Sequence, residues 1–330
     1  MLQARQNLMR FKHLCSVSYR NYQVAITGAG SEIGQTISLL LRTNPSISKL
    51  VLHDTLQYTP GVVLDLSHIP SKSKVKGYVG EDTLDEALQG SNLVIAAGGI
   101  PQHSDNVNRS ILSKNADFIK EVASSVSLVS PLPFFGIVTE PINTLVPLAA
   151  EAMRNQASHD PNKLFGITGV DALQAQTLYA RESALIQSEC IVPVIGGHSR
   201  ETMVPLFSQA TPRSKLTEEK SQELTAILRN ATPERSESHS PTLSVAYAVS
   251  IFVNSVLEAL NGETVQVNAL VENNDFGTSF FSGLVDVGPK GVSEMRTYTD
   301  LYHHECVLLE SSIKQLHKDV DVGKKIMELV

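Results

Sequence analysis

Cysteine is scarce in this 330-residue chain: Cys15, Cys190 and Cys306 are far apart and match no metal or redox spacing. That excludes a disulfide framework, suits a reducing compartment and leaves no metal site to propose. Long apolar runs are lacking too. No stretch reaches the roughly 20 consecutive apolar residues of a membrane span, so no membrane insertion is expected. Acidic residues are missing from positions 1–20, where Arg5, Arg10, Lys12 and Arg20 stand among Leu2, Leu8, Met9, Phe11 and Leu14; the first carboxylate is Glu32. A basic, acid-free, apolar-interleaved start reads as a mitochondrial transit peptide over 1–20, which would deliver the chain to the mitochondrial matrix. The bland alternative is a basic tail without consequence. Without those four charges the net charge moves from −7 to −11. So acidic a body argues against nucleic acid as a partner, since phosphate binding needs clustered Lys and Arg.

What is present is the composition of a globular protein, 42% hydrophobic and 18% charged, in a chain long enough for two domains. QVAIT (23–27) is a short apolar run that stops at glycines, as a buried parallel strand does. Ile33, Ile37, Leu40 and Leu41 then repeat at helical spacing until Pro45. LVLH (50–53), LVIAA (93–97) and FFGIV (134–138) read as further strands, with a helix over about 110–129 between the last two. This alternation predicts a doubly wound parallel sheet with helices on both faces over 21–144. An α+β substrate and dimerisation domain is expected over 145–330. It has a strand at 191–195, two more at 264–271 and 278–287, and a final amphipathic helix through Leu309, Ile313, Leu316 and Val320. Residues 242–260 are apolar on nearly every face, which predicts burial in the core or against a second subunit. The polar stretch 230–241 is the expected mobile loop.

The turn after the first strand reads GAGSEIG (28–34) and opens a helix. At such a Rossmann-type junction, backbone N–H groups and the positive helix end meet a pyrophosphate. Asp54 closes the second strand twenty residues beyond Gly34, where a carboxylate accepts hydrogen bonds from the adenosine ribose and favours NAD over NADP. The cofactor positions are therefore Gly28, Ala29, Gly30, Ser31, Gly34 and Asp54. The spacing G-x-G-x-x-x-G is one residue longer than the usual fingerprint, and Glu32 brings a negative charge toward the phosphates.

Beside this turn stand IGQTISLLL (33–41), HDTLQYTPGVVLDLSH (53–68), VKGYVG (75–80), LFGITGVD (164–171), PVIGGH (193–198) and TLSVAY (242–247). With these collinear segments the chain resembles the mitochondrial-type malate dehydrogenases of the lactate/malate dehydrogenase superfamily over roughly 22–330. The resemblance implies a homodimer, NAD and the reversible oxidation of malate to oxaloacetate; a heterodimer with a family member is the other assembly expected. It implies His198 as proton acceptor and Asp171 as the carboxylate that orients its ring and stabilises its charged form. It also implies Asn115 as a cofactor contact and Thr139 at the nicotinamide-side strand end.

The resemblance further implies three arginines that grip a dicarboxylate, and there this chain departs from the pattern. Those positions are Gln102, Asn108 and Gln174, while Glu140 stands for a substrate-contacting asparagine in the turn Glu140-Pro141-Ile142-Asn143. Losing one partner of a buried charge pair costs about 2–5 kcal/mol, so three losses at the low end approach roughly 6 kcal/mol. Glu140 adds repulsion of order 4 kcal/mol toward a unit negative charge 4 Å away at intermediate dielectric. Malate activity is therefore expected to be impaired or lost. Three readings follow: malate turnover rescued by Arg109, one place beyond a lost arginine; a dehydrogenase of another 2-hydroxy acid; or a catalytically silent paralogue with a structural, partner-binding or NAD-binding role.

Overall fold

In the computed structural model, residues 21–101, 109–230 and 242–328 are described. The presequence reading (1–20), Gln102, Asn108 and all but Asn230 of the polar stretch 230–241 lie outside the described residues.

The first half supplies β1 (Tyr22–Thr27), α1 (Glu32–Leu41), β2 (Ile47–Asp54), α2 (Thr59–Ser67), β3 (Lys74–Val79), α3 (Leu84–Leu88) and β4 (Leu93–Ala96). It continues with α4 (Arg109–Ser127), β5 (Phe134–Ile137), α5 (Ile142–Asn155) and β6 (Leu164–Ile167). The strands lie in the order β3-β2-β1-β4-β5-β6 and pair in parallel throughout. Helices cover both faces of the inner strands, so β4, β5 and β6 are buried at every residue and read as unbroken apolar runs. Edge strand β3 (KVKGYV) is only half-buried, and lysines break its apolar signal.

The second half contributes α6 (Gly169–Glu182), β7 (Val194–Gly196), β8 (Met203–Pro205), α7 (Glu218–Asn230), α8 (Thr242–Leu260), β9 (Val265–Glu272), β10 (Phe280–Gly288), β11 (Gly291–Met295) and α9 (His303–Glu328). These strands extend the sheet antiparallel, from β6 through β9, β10 and β7 to β8, with β11 on β10. The strand expected at 191–195 is shorter and shifted: Ile191 forms an isolated bridge to Thr211, and the ladder begins at Val194. Residue 144, where the sequence divides the chain, lies inside α5.

Among the described residues α8 alone is long and apolar enough to cross a membrane. Its composition has another cause here, because Ala246, Val249, Phe252, Val253, Val256 and Leu257 enter the core. Phe165 of β6 stacks on Phe134 of β5 at 6.0 Å and meets Phe252 edge-on at 5.4 Å, which fastens α8 to the sheet. The other face, Leu243, Tyr247 and Ile251, is 70%, 53% and 41% exposed at helical spacing. Helix α9 seats closely on α5: a Cβ on Gly323 would come within 2.1 Å of the Thr144 carbonyl oxygen.

Candidate active site

The parallel strand order reverses direction between β1 and β4, and their carboxyl ends open the crevice where such sheets bind ligands. Two glycine loops touch there. A Cβ on Gly28, whose φ is +75°, would lie 2.1 Å from the Cα of Gly98, so neither loop tolerates a side chain at the contact. A Cβ on Gly34 would lie 2.2 Å from the Gly28 carbonyl, which holds α1 against the turn.

Most polar groups of the turn are satisfied internally. Ala29 N–H donates to the His53 carbonyl, Ser31 N–H to the Gly28 carbonyl, and Gly30 N–H to Asp54 Oδ2 at 2.7 Å. Ser31 is the N-cap of α1, its Oγ accepting the Gly34 N–H at 3.0 Å. The extra residue in the glycine spacing is thus a conventional helix cap. Glu32 and Ile33 come next, in the first helical turn, where N–H groups have no intrahelical acceptor, and among the described residues no loop carbonyl takes them. These donors at a positive helix end suit a pyrophosphate, and Asp54, which also accepts Leu56 N–H through Oδ1, presents a carboxylate beside them. The exposed Glu32 side chain sits at the same helix end.

Asn115 and Thr139 lie deeper, and their side chains engage the protein's own backbone. Asn115, fully buried on α4, accepts from Ile100 N–H at 2.7 Å and donates to the Ile100 and Glu140 carbonyls. Thr139 Oγ1 donates to the Gly98 carbonyl at 2.9 Å. Together they tie the β4 loop to the end of β5, and a Cβ on Gly99 would collide with both.

The structure brings His198 and Asp171 together. His198 follows Gly196-Gly197 at the end of β7, and Asp171 lies in the first turn of α6. Their Nδ1 and Oδ2 are 2.7 Å apart, with the carboxylate side chain 4% exposed and the imidazole 16%. The opposite ring nitrogen, Nε2, faces Glu140 Oε1 at 3.7 Å, on a side chain 37% exposed. Burial pulls the imidazole pKa down, but the charge and hydrogen bond of Asp171, then those of Glu140, push it up to about 10. Gln174 is half-buried one turn after Asp171, on the same face of α6. Arg109 opens α4 on an exposed turn.

Three residues outside the sequence reading's site complete this region. Asn143 of α5 accepts the His198 backbone N–H through Oδ1 at 2.7 Å, and its Nδ2 donates to Thr202 Oγ1 and to Asp319 Oδ2, each at 3.0 Å. Asn143 was visible in the Glu-Pro-Ile-Asn turn. Asp319 had no signal, being 176 positions away on a helix whose pattern reports only its apolar face.

A parallel sheet in this order, with a glycine turn and an aspartate closing the second strand at its switch point, is the plan of a dinucleotide-binding fold. The chain belongs to the lactate/malate dehydrogenase family: residues 22–166 match its NAD binding domain and 168–327 its alpha/beta C-terminal domain. NAD is accordingly the cofactor of this fold. The mitochondrial malate dehydrogenase 2 of Arabidopsis thaliana is 35% identical over 326 residues, spanning 97% of this chain and 95% of that protein. The malate dehydrogenase of Glaesserella parasuis is 38% identical over 312 residues, spanning 92% and 99%. In three dimensions the chain is similar to the malate dehydrogenase of Cryptosporidium parvum, with a TM-score of 0.79, 24% identity, and 92% and 99% of the two chains covered.

Proposed function

We propose that this chain binds NAD and keeps the proton-bearing pair of a malate dehydrogenase, but turns malate over weakly or not at all. The observation that carries this reading is the carboxylate of Glu140 3.7 Å from His198 Nε2, the atom that must face a substrate hydroxyl. Between two carboxylates the imidazole is held as imidazolium, with its pKa pushed up to about 10. Near pH 7 the neutral ring able to take a proton from malate is then the minor form, and Glu140 adds to what Asp171 already does. In the reverse direction the imidazolium is present but is a poor acid, because general catalysis works best with a pKa near the working pH.

Substrate recognition compounds this. Gln102, Asn108 and Gln174, at the family's arginine positions, supply no charge for a dicarboxylate, and Glu140 repels one. The roles here are His198 as proton carrier and Asp171 as its orienting partner. Gly28, Ala29, Gly30, Ser31, Gly34 and Asp54 are the NAD turn, with Asn115 and Thr139 shaping the nicotinamide side. Bound nicotinamide supplies the hydride chemistry. The intact His198–Asp171 contact also favours a second reading, a dehydrogenase of a 2-hydroxy acid lacking the second carboxylate. Turnover of neutral or monoacid 2-oxo compounds with NADH would support it, and inactivity across such a panel would remove it.

The deciding assay is oxaloacetate reduction by the purified chain with NADH. We expect a rate at least about a thousandfold below that of a relative carrying all three arginines. Gln102→Arg, Asn108→Arg and Gln174→Arg combined with Glu140→Asn should recover activity, and His198→Asn should then abolish it. Vigorous turnover by the unaltered chain would refute the proposal and point to Arg109 as a replacement anchor.

The same reading extends to assembly, location and domain limits. Leu243, Tyr247 and Ile251 on α8, with exposed Leu39 and Leu40 on the α1 helix packed against it, support a dimer with a second copy or a family member. Light scattering that gives a monomer mass at micromolar concentration would exclude this. The basic start and the mitochondrial plant relatives support a transit peptide over 1–20 and the matrix; a cytosolic signal from residues 1–25 fused to a fluorescent protein would rule both out. The NAD-binding unit is taken as 21–144 and the substrate unit as 145–330. A stable fold for residues 21–144 alone, lacking most of α5, is the test.

A further inference from the structure

The turn that carries His198 is held from a direction the proton chemistry does not use. Its two glycines serve contact. A Cβ on Gly197 would lie 2.6 Å from Thr202 Oγ1 and 2.8 Å from Asn143 Oδ1, and one on Gly196, with φ +99°, would lie 2.2 Å from the Thr202 carbonyl oxygen and 2.7 Å from Ser312 Oγ. The turn is therefore pressed against α5 on one side and against α9 through Thr202 and Ser312 on the other. Asn143, 2% exposed, stands at the junction with every strong polar site engaged: Oδ1 accepts His198 N–H, and Nδ2 donates once to Thr202 Oγ1 and once to Asp319 Oδ2. An amide flipped by half a turn would aim its nitrogen at the His198 N–H and its oxygen at the Asp319 carboxylate, so this pair of neighbours fixes the amide's orientation. Asp319 is itself steadied by Gln315 Nε2 donating to Oδ1 at 2.9 Å, and Thr202, fully buried, receives Ser312 Oγ at its carbonyl.

We propose that Asn143 and Asp319 are positioning residues for His198: α9, through Asp319, sets the Asn143 amide, which fixes the backbone from which the imidazole reaches Asp171. Asn143 bonds the His198 backbone and Asp319 bonds Asn143; the polar partners of the ring are other residues. The ring is faced by Asp171 on Nδ1 and Glu140 on Nε2, while Glu201 and Lys318 are the further charges near Asp319. This arrangement concerns how the ring is held, so it stands or falls independently of whether the chain turns over malate.

The test is a pH titration of the His198 ring by NMR on the full chain labelled at histidine, with the signal assigned through His198→Asn. Asp319→Leu removes the acceptor, freeing Asn143 to rotate; the His198 midpoint should fall by about one pH unit or more as the contact with Asp171 loosens. The slowly exchanging Nδ1–H signal should broaden with it. Asp319→Asn keeps an acceptor oxygen and should keep both the midpoint and the signal. Asn143→Ala should reproduce the effect of Asp319→Leu; because a buried amide is lost, its melting temperature is read alongside, and if it does not fold the half-exposed position 319 still decides. A midpoint unchanged in Asp319→Leu, with only a lower melting temperature, would show ordinary structural support and overturn the proposal. So would an Asp319→Asn shift as large as that of Asp319→Leu.

Discussion

Replacing Glu140 by glutamine removes one charge and almost no volume from the reaction centre. Two unit charges 3.7 Å apart interact by about 1 kcal/mol in bulk water and by about 4 kcal/mol at the dielectric of a protein surface. With the Glu140 side chain 37% exposed, solvent screens much of this, and about 1–2 kcal/mol is the reasonable span. Since one pH unit corresponds to about 1.4 kcal/mol, the His198 midpoint should fall by about one unit from its value near 10. Asp171→Asn should lower it further, because that contact is 2.7 Å long and buried. The assay is ring titration by NMR in wild type and both variants at fixed ionic strength. Added salt should shrink the Glu140 effect more than the Asp171 effect. If Glu140→Gln leaves the midpoint in place, the carboxylate does not act on Nε2, and the proposed role of Glu140 in holding His198 charged fails.

Glu32→Gln should tighten NAD binding by about two- to fivefold at low salt, because it removes a charge from the helix end offered to the pyrophosphate; calorimetry showing no gain would refute that placement. Asp54→Ala should weaken NAD strongly, since the carboxylate anchors Gly30 N–H and is proposed to accept from the adenosine ribose; equal affinity in the two proteins would contradict that proposal. Stability should also depend on His198. Its folded pKa lies above the unfolded value near 6.5, so the ion pairs stabilise the fold fully below pH 6.5, and that contribution is lost as pH rises through about 10. Chemical denaturation should lose a few kcal/mol over that window in the wild type and visibly less in His198→Asn, and parallel curves would rule the linkage out.

The parallel half of the sheet was legible because strands covered on both faces are strongly apolar, and β1, β4, β5 and the LVLH part of β2 announce themselves as such runs. Edge strand β3 was not, since its solvent-facing lysines erase the pattern. Helix α8 was read as needing cover on nearly every side; the structure gives it a core face and leaves Leu243, Tyr247 and Ile251 outside. The meeting of His198 with Asp171 followed from the family resemblance, because spacing in sequence says nothing about two residues on separate elements. The approach of Glu140 to Nε2 needed the geometry: the sequence shows a carboxylate in place of an amide, but only the fold sets it 3.7 Å from the ring. The Asn143–Asp319 contact was hidden for the same reason, as polar pairings between distant helices leave no periodic trace.

Helix α5 begins at Ile142, with Pro141 as its N-cap directly after Glu140, and carries Asn143 in its first turn. One short segment thus delivers both the carboxylate that faces the imidazole Nε2 and the amide that holds the His198 backbone N–H. Charge and geometry are separable there. Residue 140 is free to vary in charge while residue 143 keeps the histidine in register. A lineage could silence or re-tune the centre by one substitution without loosening the fold, and a reversal at the same position would meet a ring still aimed at its partner.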